Sequence, residues 1–92
     1  MGYCLLMRRR FSHDGRSLEV RAAQYSGGWH LGIFESSLPI TRELASLSDR
    51  DVEFARKKQG IDLIQSALAR VQRDVESGQV SLPPARGASA GA

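Results

Sequence analysis

Cysteine is nearly missing from this chain of 92 residues, with Cys4 the only one. A lone cysteine forms no internal disulfide and supplies no structural zinc site by itself. The composition therefore predicts a reducing compartment, with Cys4 a small strand residue rather than a reactive thiol. Long hydrophobic runs are missing too. Nothing approaches the roughly 20 apolar residues of a membrane span. The apolar residues 1–7 precede Arg8, Arg9 and Arg10 instead of following them, the reverse of a secretory signal. The expectation is a cytoplasmic protein with no membrane partner. Neither sign of charge dominates: 13 basic against 10 acidic residues leave +3, which permits nucleic-acid binding without arguing for it. The length leaves room for one domain, whose core is of marginal size unless an oligomer adds burial.

What the chain does have is one long amphipathic stretch, residues 48–77. Phe54, Ile61, Ile64, Leu68, Val71 and Val75 recur at spacings that place them on one stripe of a 3.6-period helix. Ser48 stands as N-cap, with Asp51 three residues on, and Leu47 and Val52 occupy the positions of a hydrophobic staple. Asp49, Asp51 and Glu53 near the start, with Arg70 and Arg73 toward the end, complement the helix dipole and need no catalytic role. Gly60 costs roughly 1 kcal/mol inside a helix. It admits an alternative in which residues 49–59 and 61–77 form two helices, but the stripe continues in phase across it, which favours one. Gly78 is the expected stop.

The partner of that stripe is a sheet implied by the first 35 residues. A run ending at Phe11 is followed by Asp14-Gly15, a preferred pair for a tight hairpin turn, and then by the alternation Ser17-Leu18-Glu19-Val20-Arg21-Ala22. This register sets Phe11 opposite Leu18, Arg9 opposite Val20, Met7 opposite Ala22 and Leu5 opposite Gln24. A second turn at Gly27-Gly28 sets Ala22 across from Ile33 and Arg21 across from Phe34. One face then gathers Leu5, Met7, Phe11, Leu18, Val20, Ala22, Leu31 and Ile33. The other shows Cys4, Leu6, Arg8, Arg10, Glu19, Arg21, Ala23, Tyr25, His30, Gly32 and Phe34. Arg9 is the misfit, aimed at the apolar face, where it lies at a rim or a bulge shifts the register.

Because Pro39 cannot donate to a ladder, the third strand is expected to end near Glu35 or Ser36. Residues 37–47 read either as a short helix, from the spacing of Ile40, Leu44 and Leu47, or as a fourth edge strand, with the helix favoured. From Gln79 onward Pro83, Pro84 and small residues leave little to bury, so residues 1–78 form the expected domain and residues 79–92 a disordered tail to which Leu82 adds at most a weak contact. The predicted fold class is α+β: a three-stranded, or four-stranded, antiparallel meander packed on one face by a long C-terminal helix.

Few residues suggest chemistry. His13 and His30 lie at different hairpin ends, so they build no zinc site with Cys4. A His30–Cys4 nucleophile and base pair lacks an orienting third group. The carboxylates at the helix start point to solvent and have no setting that raises a pKa. A non-enzymatic protein without metal or cofactor is expected. Two binding readings remain. The first is an interaction or accessory module with an unknown protein partner, itself a homodimer, formed through the exposed sheet residues Leu6, Tyr25 and Phe34 or through Phe54, Ile61 and Leu68 of the helix stripe. The alternative is a nucleic-acid-binding protein in which Arg8, Arg10 and Arg21 pair phosphates beside exposed aromatics, with Arg56, Lys57 and Lys58 as a second patch.

Overall fold

The computed structural model describes residues 6–84. Cys4, Leu5 and residues 85–92 of the expected tail lie outside the described residues. Strands β1 (Leu6–His13), β2 (Arg16–Tyr25) and β3 (Gly28–Glu35) form an antiparallel meander. The far edge of β3 pairs with the two-residue β4 (Leu38–Pro39) and with β5 (Ala45–Ser48), and helices α1 (Asp49–Phe54) and α2 (Leu63–Glu76) follow. The α+β meander under a C-terminal helix is thus the observed fold.

The first hairpin has the expected register, with Phe11 opposite Leu18, Arg9 opposite Val20 and Met7 opposite Ala22. Arg9 stays on the helix side of edge strand β1, and its Nε donates to Gln72 Oε1 of α2 at 2.6 Å. No bulge is needed, because the guanidinium reaches polar surface past the core.

The second hairpin differs. Its turn residues are Ser26 (φ 50°) and Gly27 (φ 77°), so Ala22 faces Leu31, Val20 faces Ile33, and Arg21 faces Gly32 rather than Phe34. The displacement is two residues along β3, which keeps every side chain on its expected face. Gly28 belongs to the strand because β5 passes close: a Cβ there would sit 2.6 Å from the Leu47 carbonyl oxygen.

Residues 37–47 are strand and bulge, not helix. A turn at Ser36 and Ser37, both at positive φ, brings β4 back along β3. Ile40 N then donates to Ile33 O at 2.9 Å and Leu44 N to Leu31 O at 2.8 Å, while the residues between them bulge outward. Thr41 Oγ1 fills the gap in the ladder by accepting from Ile33 N at 3.0 Å. The bulge explains the misleading spacing: extra residues between inward-facing Ile40, Leu44 and Leu47 imitate a helical period.

The long stretch from Ser48 is also divided. Ser48 caps α1, its hydroxyl accepting from Asp51 N at 3.1 Å. After α1 the backbone loosens into a π-helical turn, Ala55–Gln59, and stops at Gly60, whose φ of 64° no helix continues through. Asp62 then caps a new helix, accepting from Gln65 N at 3.1 Å. The stripe splits accordingly. Ile64, Leu68, Val71 and Val75 of α2 are buried, whereas Phe54 is 56% and Ile61 44% exposed.

α2 packs on β1, β2 and β5, and its buried residues meet Leu18, Val20, Ala22, Trp29, Leu31 and Ile33. Each such large aliphatic contributes about 1.5–3 kcal/mol by leaving water. Residues 79–84, expected to begin a disordered tail, extend this core instead. Val80 and Leu82 pack against it, Val80 N donates to Asp74 O at 3.1 Å, and Arg16 Nη1 donates to Pro83 O at 2.8 Å. Arg16 is held by a two-pronged contact with Glu35 (Nε to Oε2 3.1 Å, Nη2 to Oε1 2.7 Å). The hydrogen bond to Glu35 raises the Arg16 pKa above its ordinary value against the effect of burial, so this anchor keeps its charge.

Candidate functional site

α2 covers one face of the sheet and leaves the other open. On the open face the pairing lays side chains in rows across the first three strands. Leu6, Ala23 and His30 form one row, Arg8, Arg21 and Gly32 the next, and Arg10, Glu19 and Phe34 the third.

Arg8 and Arg21 stand directly opposite, an unfavourable like-charge pair taken alone. Glu19 resolves it from the neighbouring row. Its carboxylate takes a hydrogen bond from Arg21 Nε, another from Arg10 Nε at 3.2 Å, and lies 3.8 Å from Arg8 Nη1. Burial alone would push the Glu19 pKa up, but the bonds from Arg21 and Arg10 and the charges of Arg21 and Arg8 outweigh it and hold the carboxyl below its ordinary value. One carboxylate against three guanidinium groups leaves two positive charges. The Arg10 side chain is 79% exposed and Arg8 52%, so both present their outer donors to solvent.

Arg21 is more enclosed. Its guanidinium carbon lies 4.4 Å from the centre of the Phe34 ring, a cation–π contact, and Nη2 reaches Ser37 Oγ at 3.4 Å. These groups line a concavity of about 500 Å³ whose rim is the Ser36–Ser37 turn.

A second depression of about 260 Å³ adjoins the first and shares Arg21 and Phe34 with it. Ala23 and Gly32 line it, and the bulge contributes Thr41, Arg42 and Glu43. Tyr25 and His30 stand on its far side as a stacked pair, ring centres 4.1 Å apart and planes inclined by 24°. His30 lies between two acceptors, with Nδ1 toward the Glu43 carboxylate and Nε2 3.1 Å from the Tyr25 carbonyl, and a neutral ring donates to one of them.

The structure therefore brings Arg8, Arg10 and Arg21 together with Phe34, and sets Leu6 and Tyr25 on the same face, 47% and 52% exposed. It places Phe54 and Ile61 elsewhere, beside the π-helical turn and the Gly60 stop, and buries Leu68 completely beneath the sheet. The patch of Arg56, Lys57 and Lys58 is partly neutralised, since Glu53 Oε1 pairs with Lys57 at 3.0 Å and Arg56 at 3.4 Å. His13 pairs with Asp14 in the first turn at 3.4 Å.

Sequence reasoning placed Ala23 and Gly32 on this face but gave no role to them or to Glu43. Two of them carried a signal, being small residues at outward strand positions. Glu43 did not, because the bulge that delivers it depends on pairing with β3. Among the described residues no three His, Cys, Asp or Glu side chains group as a metal site, and no helix is long and apolar enough to cross a membrane. Comparison with protein-family models, curated proteins and solved structures found no match.

Proposed function

We propose that this protein is a small, non-enzymatic nucleic-acid-binding domain that receives an extended strand on its open sheet face. The observation that carries the reading is the alignment of Arg8, Arg10 and Arg21 with Phe34, Tyr25 and His30 on the face that α2 leaves uncovered. Guanidinium groups suit phosphate oxygens in charge and fork geometry, and rings beside them suit bases. Glu19 contributes by holding three like charges in one place without neutralising them all.

The test is a fluorescence-anisotropy titration with labelled single-stranded and duplex oligonucleotides at two salt concentrations, with solution mass recorded on the same samples. For single strands log K falls by about 0.7 per decade of salt for each phosphate neutralised. The two charges that Glu19 leaves uncompensated predict a slope of about −1.4, and Arg8→Ala with Arg10→Ala should bring it close to zero. No binding at roughly 100 µM, the weak end of non-specific affinities, sinks the reading.

Self-association as an interaction module is the second reading, favoured by the exposure of Leu6 and Tyr25 on this same face. A dimer mass that Tyr25→Asp converts to monomer, with oligonucleotides ignored, would bring it forward.

A further inference from the structure

Resting on the nucleic-acid reading, we infer that the depression over Ala23 and Gly32 is a stacking slot for one unpaired base, which makes single strands the ligand class of this face. The slot exists because β3 carries no side chain at its centre. His30 and Phe34 are four residues apart, about 14 Å at the usual strand rise, and glycine stands midway between them. The residue opposite Gly32 is Arg21, but its guanidinium lies over Phe34. Ala23, opposite His30, adds only a methyl group.

Two flat, electron-rich or cationic surfaces therefore flank an empty floor: Arg21 stacked on Phe34 at one side, His30 backed by Tyr25 at the other. The volume of about 260 Å³ is below the roughly 300–1,000 Å³ of pockets for drug-sized ligands. With the walls this far apart, an entering base stacks on one of them rather than between both.

The walls are held from behind. Tyr25 covers one face of the His30 ring, and a hydrogen bond to one of its two flanking acceptors, Glu43 or the Tyr25 carbonyl, orients the ring. Glu19 and Ser37 hold Arg21. The ring that enters thus meets surfaces already in position, which lowers the ordering cost of binding. Arg8 and Arg10 are successive open-face residues of β1, with Arg9 between them on the other face, and phosphates flanking a docked base can pass there. Polar groups of Thr41, Arg42 and Glu43 stand at the opposite rim, within the bulge. A base inside a duplex is covered on both faces by its neighbours and cannot enter; only an unstacked base can.

The experiment compares single-stranded and duplex oligonucleotides of equal length with the wild type, Ala23→Leu and Tyr25→Ala, each variant checked by thermal melting. Ala23→Leu fills the slot while keeping every charge. It should weaken single-strand binding by about 5- to 150-fold, the range for one stacked base, and leave duplex binding unchanged. Tyr25→Ala acts at a half-exposed position and should weaken single-strand binding in the same direction. If Ala23→Leu lowers the melting temperature, the Tyr25 variant decides. Equal affinity for both strand types, with variants indistinguishable from wild type, overturns the slot while the nucleic-acid reading stands. Absence of binding to either ligand by the wild type removes both.

Discussion

Gly28→Ala isolates one structural cause with a single methyl group. The added Cβ would lie 2.6 Å from Leu47 O, 3.5 Å from Leu47 C and 3.6 Å from Ser48 Cα, all backbone atoms that no rotamer change can move away. The two strands must separate by more than half an ångström. Overpacking of this kind costs about 1–3 kcal/mol. The same movement strains the bond from Asp49 N to Gly27 O (3.0 Å), which seats α1, and losing it adds about 1 kcal/mol. A total near 3 kcal/mol corresponds to a fall in Tm of about 12–24 °C for a domain of this size. Trp29 is the only tryptophan, is buried and faces Leu47 across the same strand pair, so its fluorescence reports directly on the separation. Gly32→Ala is the control. Its Cβ meets Arg42 O at 3.6 Å and Thr41 Oγ1 at 3.7 Å, ordinary contacts. It should leave stability unchanged or raise it by up to about 1 kcal/mol. Equal losses in the two variants, or a Gly28→Ala loss below about 0.5 kcal/mol, the usual scatter of neutral substitutions, would refute the close-approach argument.

Leu68→Ala should cost about 2–5 kcal/mol in urea unfolding, while Phe54→Ser stays within about 0.5 kcal/mol, because only Leu68 lies beneath the sheet; similar losses would mean that both belong to one continuous buried stripe. Gly60→Ala should cost about 1–2 kcal/mol by forcing a Cβ into the left-handed region at φ 64°, and a stabilised variant would show instead that the two helices fuse. Glu19 has a depressed pKa, so its contribution is complete above the unfolded carboxyl value of about 4.3 and is lost as pH falls through the lower folded value. Glu19→Gln should therefore flatten the acid limb of stability against pH, and an unchanged limb would remove Glu19 from the account.

The first hairpin was legible because two independent signals agreed, the Asp14-Gly15 turn and the alternation of residues 17–22. The Arg10–Glu19 pairing followed from it. The second hairpin offered two adjacent turns, Ser26-Gly27 and Gly27-Gly28, and the one adopted puts Gly28 in the strand against the Leu47 carbonyl, 19 residues further along the chain. That contact is non-local and invisible to local pattern. Residues 37–47 failed for a related reason, since a bulge inserts residues between inward positions and destroys the period of two. The break at Gly60 did leave a trace. Asp62 followed by Gln65 has the spacing of an N-terminal cap, a signal the sequence reading did not use because it followed the apolar stripe across Gly60. The candidate site was legible as a face and not as a shape. Its arginines and rings followed from parity alone, whereas its floor required the correct register of Arg21 against Gly32.

The same geometry bears on where a partner can act. A sheet offers a partner two edges and two faces. Here one face is taken by α2. The β1 edge carries Arg8, Arg9 and Arg10 in succession, so antiparallel pairing with a second β1 near its midpoint sets like charges side by side. The opposite edge is two short strands, with Pro39 lacking an N–H and residues 40–44 bulging out of line. Among the described residues only β1 presents a long edge, and that edge is lined by arginines. Pairing of two β1 edges is thereby opposed by charge, and strand addition at the other edge by its proline and bulge. The open face has the reverse character, with two uncompensated charges, preset rings and an empty floor between them. A ligand that brings its own negative charge and flat rings meets all three features together, which is the physical basis of the proposed nucleic-acid contact.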